Sequence, residues 1–410
     1  MHNVTLQYHS GSGFDVGGDY TRYTSDNNQT LSADYTEGGQ SCFSIIGGQK
    51  IDRYSIYADR KRSLGKEWNL SYGMSYRFAK DRDFQTYDKV VGDIQTENTD
   101  SRLHEHTANV YVSLSKNYAT GTSVSVSATG EYYTIGSYRK WAVYPQASLT
   151  YVKSPEHLFQ FSLSTDKTYP GYWDMQSSVS HLNGYTELWG TPGLKPSTTY
   201  NLNGNYIWKQ KYIFGLFFMH TSDFFVQTGY QSTDRLALIY KNTNWNYMQM
   251  WGANVILPFK VGNWLDSRLT LIGMQVRQRC DDFFDIPFNR KKWMFNGSLD
   301  NTFKVSKNLA LELIGSLQTP MIQGTFDIET VYNLTAGIKW GFANDRISLS
   351  ARCSDLFNSG MPNLKVRFKG QHLDMNNGFY SRAFTLLFNY RFGGYKKKEV
   401  RKIDTSRFGH

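Results

Sequence analysis

The sequence predicts an all-β protein, a transmembrane antiparallel β-barrel. Three observations carry this: strands with one aromatic face, connections that alternate between short and long, and no run of about 18 apolar residues. The clearest strand is Phe384-Thr-Leu-Leu-Phe-Asn-Tyr-Arg-Phe392. Its Phe384, Leu386, Phe388, Tyr390 and Phe392 fall on one side, and Thr385, Asn389 and Arg391 on the other. Nine residues at about 3.3 Å each, tilted by roughly 40°, rise about 23 Å, close to the ~25 Å apolar band of such barrels. Phe388 is therefore expected to face lipid near mid-membrane and Asn389 the lumen. An arginine at 388 should be costly and one at 389 cheap.

The same dyad pattern recurs through the chain. Trp68, Leu70, Tyr72, Met74, Tyr76 and Phe78 alternate with Asn69, Ser71, Gly73, Ser75 and Arg77. Ala108, Val110, Val112 and Leu114 alternate with Asn109, Tyr111, Ser113 and Ser115, and Val124, Val126, Ala128 and Tyr132 with Ser125, Ser127, Thr129 and Glu131. Leu334, Ala336, Ile338, Trp340 and Phe342 repeat the pattern near the end. A soluble sandwich alternates as well, but with a charged outer face and an aliphatic inner one. Here the polar face is Ser, Thr, Asn and Gly, and the apolar face is Tyr, Trp and Phe, as for a barrel with a wet lumen and a lipid-facing exterior.

Extended segments are expected near 3–10, 13–24, 50–62, 68–84, 102–117, 123–136, 142–154, 158–169, 198–210 and 212–228. Others fall near 247–261, 267–285, 291–305, 309–320, 331–342, 347–356 and 378–393, about 17 strands in all. Short connections such as Gly65-Lys-Glu67, Gly262-Asn-Trp264 and Ala343-Asn-Asp345 alternate with long ones near 25–49, 85–101, 170–197, 229–246 and 357–377. Short periplasmic turns and longer external loops give that rhythm. A closed antiparallel bacterial barrel needs an even number of strands, so an odd count implies a partial barrel. Residues 1–410 alone are expected not to close.

Composition narrows the function classes. Aromatic residues make up 16% of the chain, which suits interfacial girdles. A mean hydropathy of −0.52 excludes a helical membrane protein and is compatible with a barrel, whose lumen and loops are polar. The net charge of +10 gathers partly in Lys396-Lys-Lys-Glu-Val-Arg-Lys402, with no nucleic-acid-binding signature beside it, so it reads as a solvated tail rather than a nucleic-acid contact. Cys42, Cys280 and Cys353 fit neither a disulfide framework nor a metal spacing. The start, Met-His-Asn-Val-Thr-Leu-Gln-Tyr, lacks the basic and apolar regions of a secretory signal. An exported barrel needs one, so either the start lies upstream or the chain is a piece of a larger protein.

Catalytic and metal signatures are weak. Gly11-Ser-Gly13 with Gly17-Gly18 reads as a hairpin turn, since no helix follows to hold a phosphate. His104 and His106 share a strand face without a third ligand at a recognisable spacing, and Asp281, Asp282 and Asp285 read as solvated loop acids. No nucleophile elbow, Walker motif or zincin helix occurs. No catalytic residue, metal site or cofactor is expected. The longest loop, 170–197, carries Tyr172, Trp173, Tyr185 and Trp189 among small polar residues, and these four rings are the candidate ligand contacts.

Three motifs carry a family resemblance. They are Gly190-Thr-Pro-Gly-Leu-Lys-Pro196, leading from a long loop into a strand, Asp355-Leu-Phe-Asn358, closing a late strand, and the aromatic-ended strand with a basic tail behind it. In this order the chain resembles the barrel of TonB-dependent outer-membrane receptors over nearly its whole length. The resemblance implies a 22-stranded barrel in the outer membrane of a Gram-negative bacterium, of which these strands are the last seventeen. It also implies an N-terminal plug and the TonB complex as partners, besides membrane lipid, and a small-molecule or oligosaccharide ligand. The expected organisation is a partial barrel over 1–393 with no plug domain, then a basic C-terminal extension over 394–410. The expected function is uptake of a scarce nutrient, not an enzymatic one. The alternatives are a passive pore or structural barrel, and a barrel-borne surface enzyme.

Overall fold

The computed structural model describes residues 1–36, 39–92, 96–342, 346–376, 378–391 and 407. Strands β1 (His2–His9), β2 (Phe14–Tyr35), β3 (Gly39–Gly65), β4 (Trp68–Val91), β5 (Thr99–Asn117), β6 (Ser123–Ile135), β7 (Tyr138–Ser154) and β8 (His157–Thr168) follow one another. A single 3₁₀ turn (Trp173–Met175), β9 (Val179–Asn183) and β10 (Thr186–Trp189) form the longest loop. The wall resumes with β11 (Ser197–Trp208), β12 (Tyr212–Gln231), β13 (Leu238–Val261), β14 (Leu265–Phe283), β15 (Ile286–Lys304) and β16 (Leu309–Gln318). Next come β17 (Met321–Gln323), β18 (Phe326–Ile328), β19 (Val331–Phe342), β20 (Ile347–Ser354), β21 (Leu364–Phe368), β22 (Gln371–Met375) and β23 (Ala383–Tyr390).

The wall is a meander. Strands β1 to β8 pair antiparallel in sequence, and β8 pairs with β11. Pairing continues from β11 to β16, then through β19 and β20 to β23. Setting aside β9 and β10, which join from the loop, the 19-stranded sheet contains the seventeen wall strands expected from the alternation. Among the described residues β1 has β2 as its neighbour and β23 has β20, and both end strands are exposed on both faces.

Pairing aligns the apolar faces. Leu163, Leu202, Phe218 and Trp251 form one cross-strand row, and Trp340, Leu349 and Phe388 another. Phe388 thus lies on the outward face with Asn389 on the other, but two residues from the Tyr390 end, nearer the interface than mid-membrane. Two aromatic belts bound the outward face. One, at the short turns, contains Trp68 and the Trp208–Tyr212 and Trp264–Phe303 ring pairs. The other contains Tyr132 with Trp141, and Trp251 with Trp293. From Trp68 to Phe78 along β4 is ten residues, about 33 Å of strand and roughly 25 Å of height at a ~40° tilt. That is one bilayer core.

Three connections read as loops are largely strand. Segments 25–49 and 85–101 extend β2 to β5 beyond the bilayer, and 229–246 lengthens β12 and β13. There the extensions are wet on the outside, so Ser25, Asp26, Asn27, Asn28 and Gln29 need no apolar face while the ladder continues. The 357–377 connection carries β21 and β22, which join β17 and β18 in a four-stranded sheet. Phe392, the turn at 343–345 and the Lys396-to-Lys402 run lie outside the described residues. Arg407 is buried rather than solvated. Its guanidinium exchanges water for the Glu105 carboxylate (2.7 and 3.0 Å) and the Pro170 carbonyl (2.9 Å), and it sits over the Tyr169 and Tyr172 rings.

Candidate functional site

At the long-loop end, two inserted elements pack against the inner wall. One is the 170–197 loop. Tyr172, Met175 and Leu194 from this loop join Ile51, Ala79, Tyr133 and Ile135 of the wall in a buried cluster. The other is the four-stranded sheet, whose Phe326, Ile328 and Val366 form a small core beside Tyr240 and Phe368. Gln278 of β14 ties it down by donating to the Ile322 carbonyl (3.4 Å) and accepting from the Gly324 amide (2.8 Å). Arg290 adds bonds to the Gly324 carbonyl and to Asp327.

The Gly-Thr-Pro-Gly-Leu-Lys-Pro segment is the base of the first element. Thr191 donates from its amide to the Asp174 carbonyl (2.7 Å) and from its hydroxyl to the Asn242 carbonyl (2.7 Å). Asn244 takes the Lys195 amide (2.8 Å) and donates to the Lys195 carbonyl (2.9 Å), imitating a strand partner. Asn242 donates to Asp174 (2.8 Å), whose carboxyl is raised by its burial. Gly190 is needed because a Cβ there would stand 2.0 Å from the Gln176 carbonyl oxygen. Gly190→Val should therefore pry the loop off its base at a local cost of about 1–3 kcal/mol. Limited proteolysis within 171–189 should become faster, and a rate equal to the parent's would show that the base tolerates the clash by shifting.

The four candidate rings separate into two places. Tyr172 is buried, with its hydroxyl donating to Glu105; burial pushes that hydroxyl's pKa up, so it stays protonated. Trp173, beside it on the 3₁₀ turn, is half-exposed above Gln49 and Asp83. Tyr185 and Trp189 sit on the β9–β10 hairpin, whose second strand pairs in parallel with residues 238–241 of β13. Tyr185 is exposed. Trp189 is half-buried, donating from Nε1 to Glu187 (2.8 Å), with its ring tilted against Phe284 at 6.5 Å between centroids. Burial would raise the Glu187 carboxyl, but hydrogen bonds from Arg235 and Trp189 outweigh it and hold it below the usual carboxylate range. Sequence reading did not find the Tyr230–Phe284 stack, 4.1 Å between centroids, or Lys241 beside Phe284 and Trp189. The clustered aromatics at 283–284 were their only local signal.

The remaining candidates fall elsewhere. His104 and His106 lie on the outward face, against Phe78. Asp281 pairs with Arg279 (2.8 Å) and accepts from Asn246 (2.8 Å). Among the described residues, no three His, Cys, Asp or Glu side chains gather as a metal site. The Asp355-Leu-Phe-Asn358 motif closes the turn after β20. Asp355 and Asn358 both adopt left-handed backbone, φ 51° and 55°, which short polar side chains tolerate. Asp355 accepts from the Ser359 and Gly360 amides (3.0 and 2.8 Å) and from Ser381, and Asn358 accepts from the Ser381 and Arg382 amides (2.8 and 3.2 Å). Although burial pushes the Asp355 carboxyl up, these donors hold it low.

Residues 8–390 match the model of the outer membrane protein beta-barrel family. The chain belongs to that family. Its members' place, the outer membrane of Gram-negative bacteria, is therefore this protein's as well. Solved structures share the fold at low identity. The siderophore receptor PirA from Pseudomonas aeruginosa is 12% identical, with a TM-score of 0.54, over 94% of this chain and 69% of the receptor. FpvA from P. aeruginosa, solved with heterologous pyoverdines, is 13% identical at 0.54, over 94% of this chain and 55% of FpvA. The FrpB iron transporter from Neisseria meningitidis (F5-1 variant) is 9% identical at 0.56, over 95% and 72%. The chain thus spans between about half and three-quarters of the length of these receptors and transporters. No curated protein matches it in sequence.

Proposed function

We propose that this chain is the barrel of a TonB-dependent receptor that takes up a scarce nutrient, such as a metal chelate or a glycan, across the outer membrane. The observation that supports this most is the fold shared with siderophore receptors along 94% of the chain. The partners in this reading are an upstream plug segment and, through it, the TonB complex. Trp173, Tyr185 and Trp189 offer low-entropy aromatic area to a planar chelate or a sugar at the mouth, and Tyr172 anchors the loop that carries them. A passive pore fits less well, since the 170–197 loop and the four-stranded sheet both pack into the upper lumen. Surface enzymes on barrels resemble smaller barrels than these seventeen wall strands.

Uptake by the complete receptor tests the reading. Cells carrying Trp173→Ala with Trp189→Ala should insert the barrel normally and accumulate labelled ferric chelates or oligosaccharides roughly tenfold more slowly, about 1–3 kcal/mol of lost contact at KM-limited concentrations. Parental uptake with normal insertion would move the site away from this loop. Uptake that persists without TonB would favour a passive pore.

A further inference from the structure

The register of β2 to β5 aligns residues on the outward face into rows. One row is a ladder of rings: Tyr20, Tyr54, Phe78 and His106 lie opposite one another. Neighbouring centroids are 4.8, 6.3 and 4.8 Å apart. Toward the long-loop end the next row is Arg22, Asp52, Lys80 and His104, and the row after it contains Lys50, Arg82 and Arg102. These three cations are exposed and directly opposed on three adjacent strands. Like charges so placed repel. Arg82 is met by Asp100 through two hydrogen bonds (2.9 and 2.8 Å), and Asp52 lies 3.9 Å from Arg22. Among the described residues no carboxylate oxygen lies within 4.0 Å of Lys50, Lys80 or Arg102, although Asp52 stands across from Lys80 and the Arg82-bound Asp100 also acts on Arg102.

On the opposite side of the ladder, toward mid-membrane, the same strands and β1 form an apolar groove of about 940 Å³. Leu6, Ile56, Met74 and Val110 line it, and Gly18 leaves room in its floor. Each step between rows is two residues, about 7 Å along the strand. The cations therefore stand one to two steps above the rings, at headgroup depth, and the groove lies at acyl-chain depth. Charge, ring belt and groove are stacked in the order of an anionic lipid.

We propose that this face holds a phosphorylated lipid of the outer leaflet, its phosphate bridging Lys50, Lys80 and Arg102 and one acyl chain lying in the groove. A phosphate there adds the close counter-charge that Lys50, Lys80 and Arg102 lack, with the long-loop end of the barrel outward. The site is on the outside of the wall, apart from the loop that carries the candidate nutrient contacts.

The test uses the protein extracted from outer membranes in mild detergent. It is titrated, with native mass spectrometry as readout, against a bis-phosphorylated glucosamine lipid, its dephosphorylated form and inorganic phosphate. The parent should bind the phosphorylated lipid at least tenfold more tightly than the dephosphorylated one. Lys50→Gln with Arg102→Gln should lose roughly tenfold or more of that affinity. Lys50→Arg, which keeps the charge, should bind like the parent. So should Arg62→Gln with Lys116→Gln, an equal change of charge on β3 and β5 at the short-turn end. Equal affinity for the dephosphorylated lipid, or equal loss from the Arg62 and Lys116 pair, would overturn the proposal. Inorganic phosphate that displaces the lipid at comparable concentration would make this a free-anion site and overturn the lipid assignment.

Discussion

Glu131→Ala should destabilise the folded barrel by about 3–5 kcal/mol. Glu131 lies on the inner face of β6 and is 4% exposed. It is ion-paired to Lys167 of β8 and accepts from the hydroxyls of Tyr169 and, at 3.3 Å, Tyr144 of β7. One carboxylate thus ties three neighbouring strands together below the base of the longest loop. The Lys167 ammonium also stands 4.2 and 4.7 Å from the Tyr133 and Tyr169 ring centroids. Removing the carboxylate leaves that ammonium buried against ring faces, with Glu105, already paired to Arg407, the remaining carboxylate that acts on it, and cation–π attraction of about 0.5–2 kcal/mol does not replace the lost partner. Adding Lys167→Met should recover most of the loss, because an apolar pair of similar volume is often close to neutral in such a place. Urea unfolding of the vesicle-inserted protein, followed by tryptophan fluorescence, reads both values. A loss below about 1 kcal/mol for the single variant would mean that water reaches Lys167 and the site behaves as a surface pair.

The parts of the fold that touch lipid were legible, because the bilayer imposes a period on them. Trp68 to Phe78 alternates without interruption, runs of this kind also placed β5, β6, β19 and β23, and the other expected segments overlap the remaining wall strands. Where β2 to β5 rise into water the pattern fails, since Asn27, Gln29 and Thr30 keep the ladder without presenting an apolar face. The inserted sheet was hidden for another reason. Strands as short as Phe326–Ile328 and Leu364–Phe368 have no period of their own and exist through contacts with Gly229, Gln278 and Phe288, which are distant in sequence. At the candidate site the sequence located the loop but not the posture of its rings. Tyr172 and Trp173 are adjacent, yet Glu105, sixty-seven residues away, turns one of them into an anchor. The two short motifs were recognisable by resemblance, and their physical reasons became visible only in the fold: Gly190 for the close Gln176 carbonyl, Asp355 and Asn358 for left-handed backbone and the amides they cap.

Leu216→Arg should cost about 2–4 kcal/mol, the penalty for a cation at the bilayer midplane on the lipid face of such a barrel. Leu216 is 70% exposed on β12, four residues from Tyr212 at the short turn, which is about 13 Å of strand and roughly 10 Å of height, near the middle of the ~25 Å apolar band. Its cross-strand neighbours, Gly204 and Ala253, are small and offer the guanidinium neither an acceptor nor a route to water. Phe388→Arg should cost less, because Phe388 lies one step from Tyr390 and its side chain can reach the interface by extending along the strand. Asn203→Arg provides the lumenal control. Asn203 is exposed on the face of β11 opposite to Leu202 and Gly204, where a charge meets water. Unfolding free energies in lipid vesicles should rank Leu216→Arg below Phe388→Arg, with Asn203→Arg close to the parent. Equal penalties at 203 and 216 would mean that the faces are wrongly assigned, since a slip of one residue exchanges lumen for lipid along the whole strand.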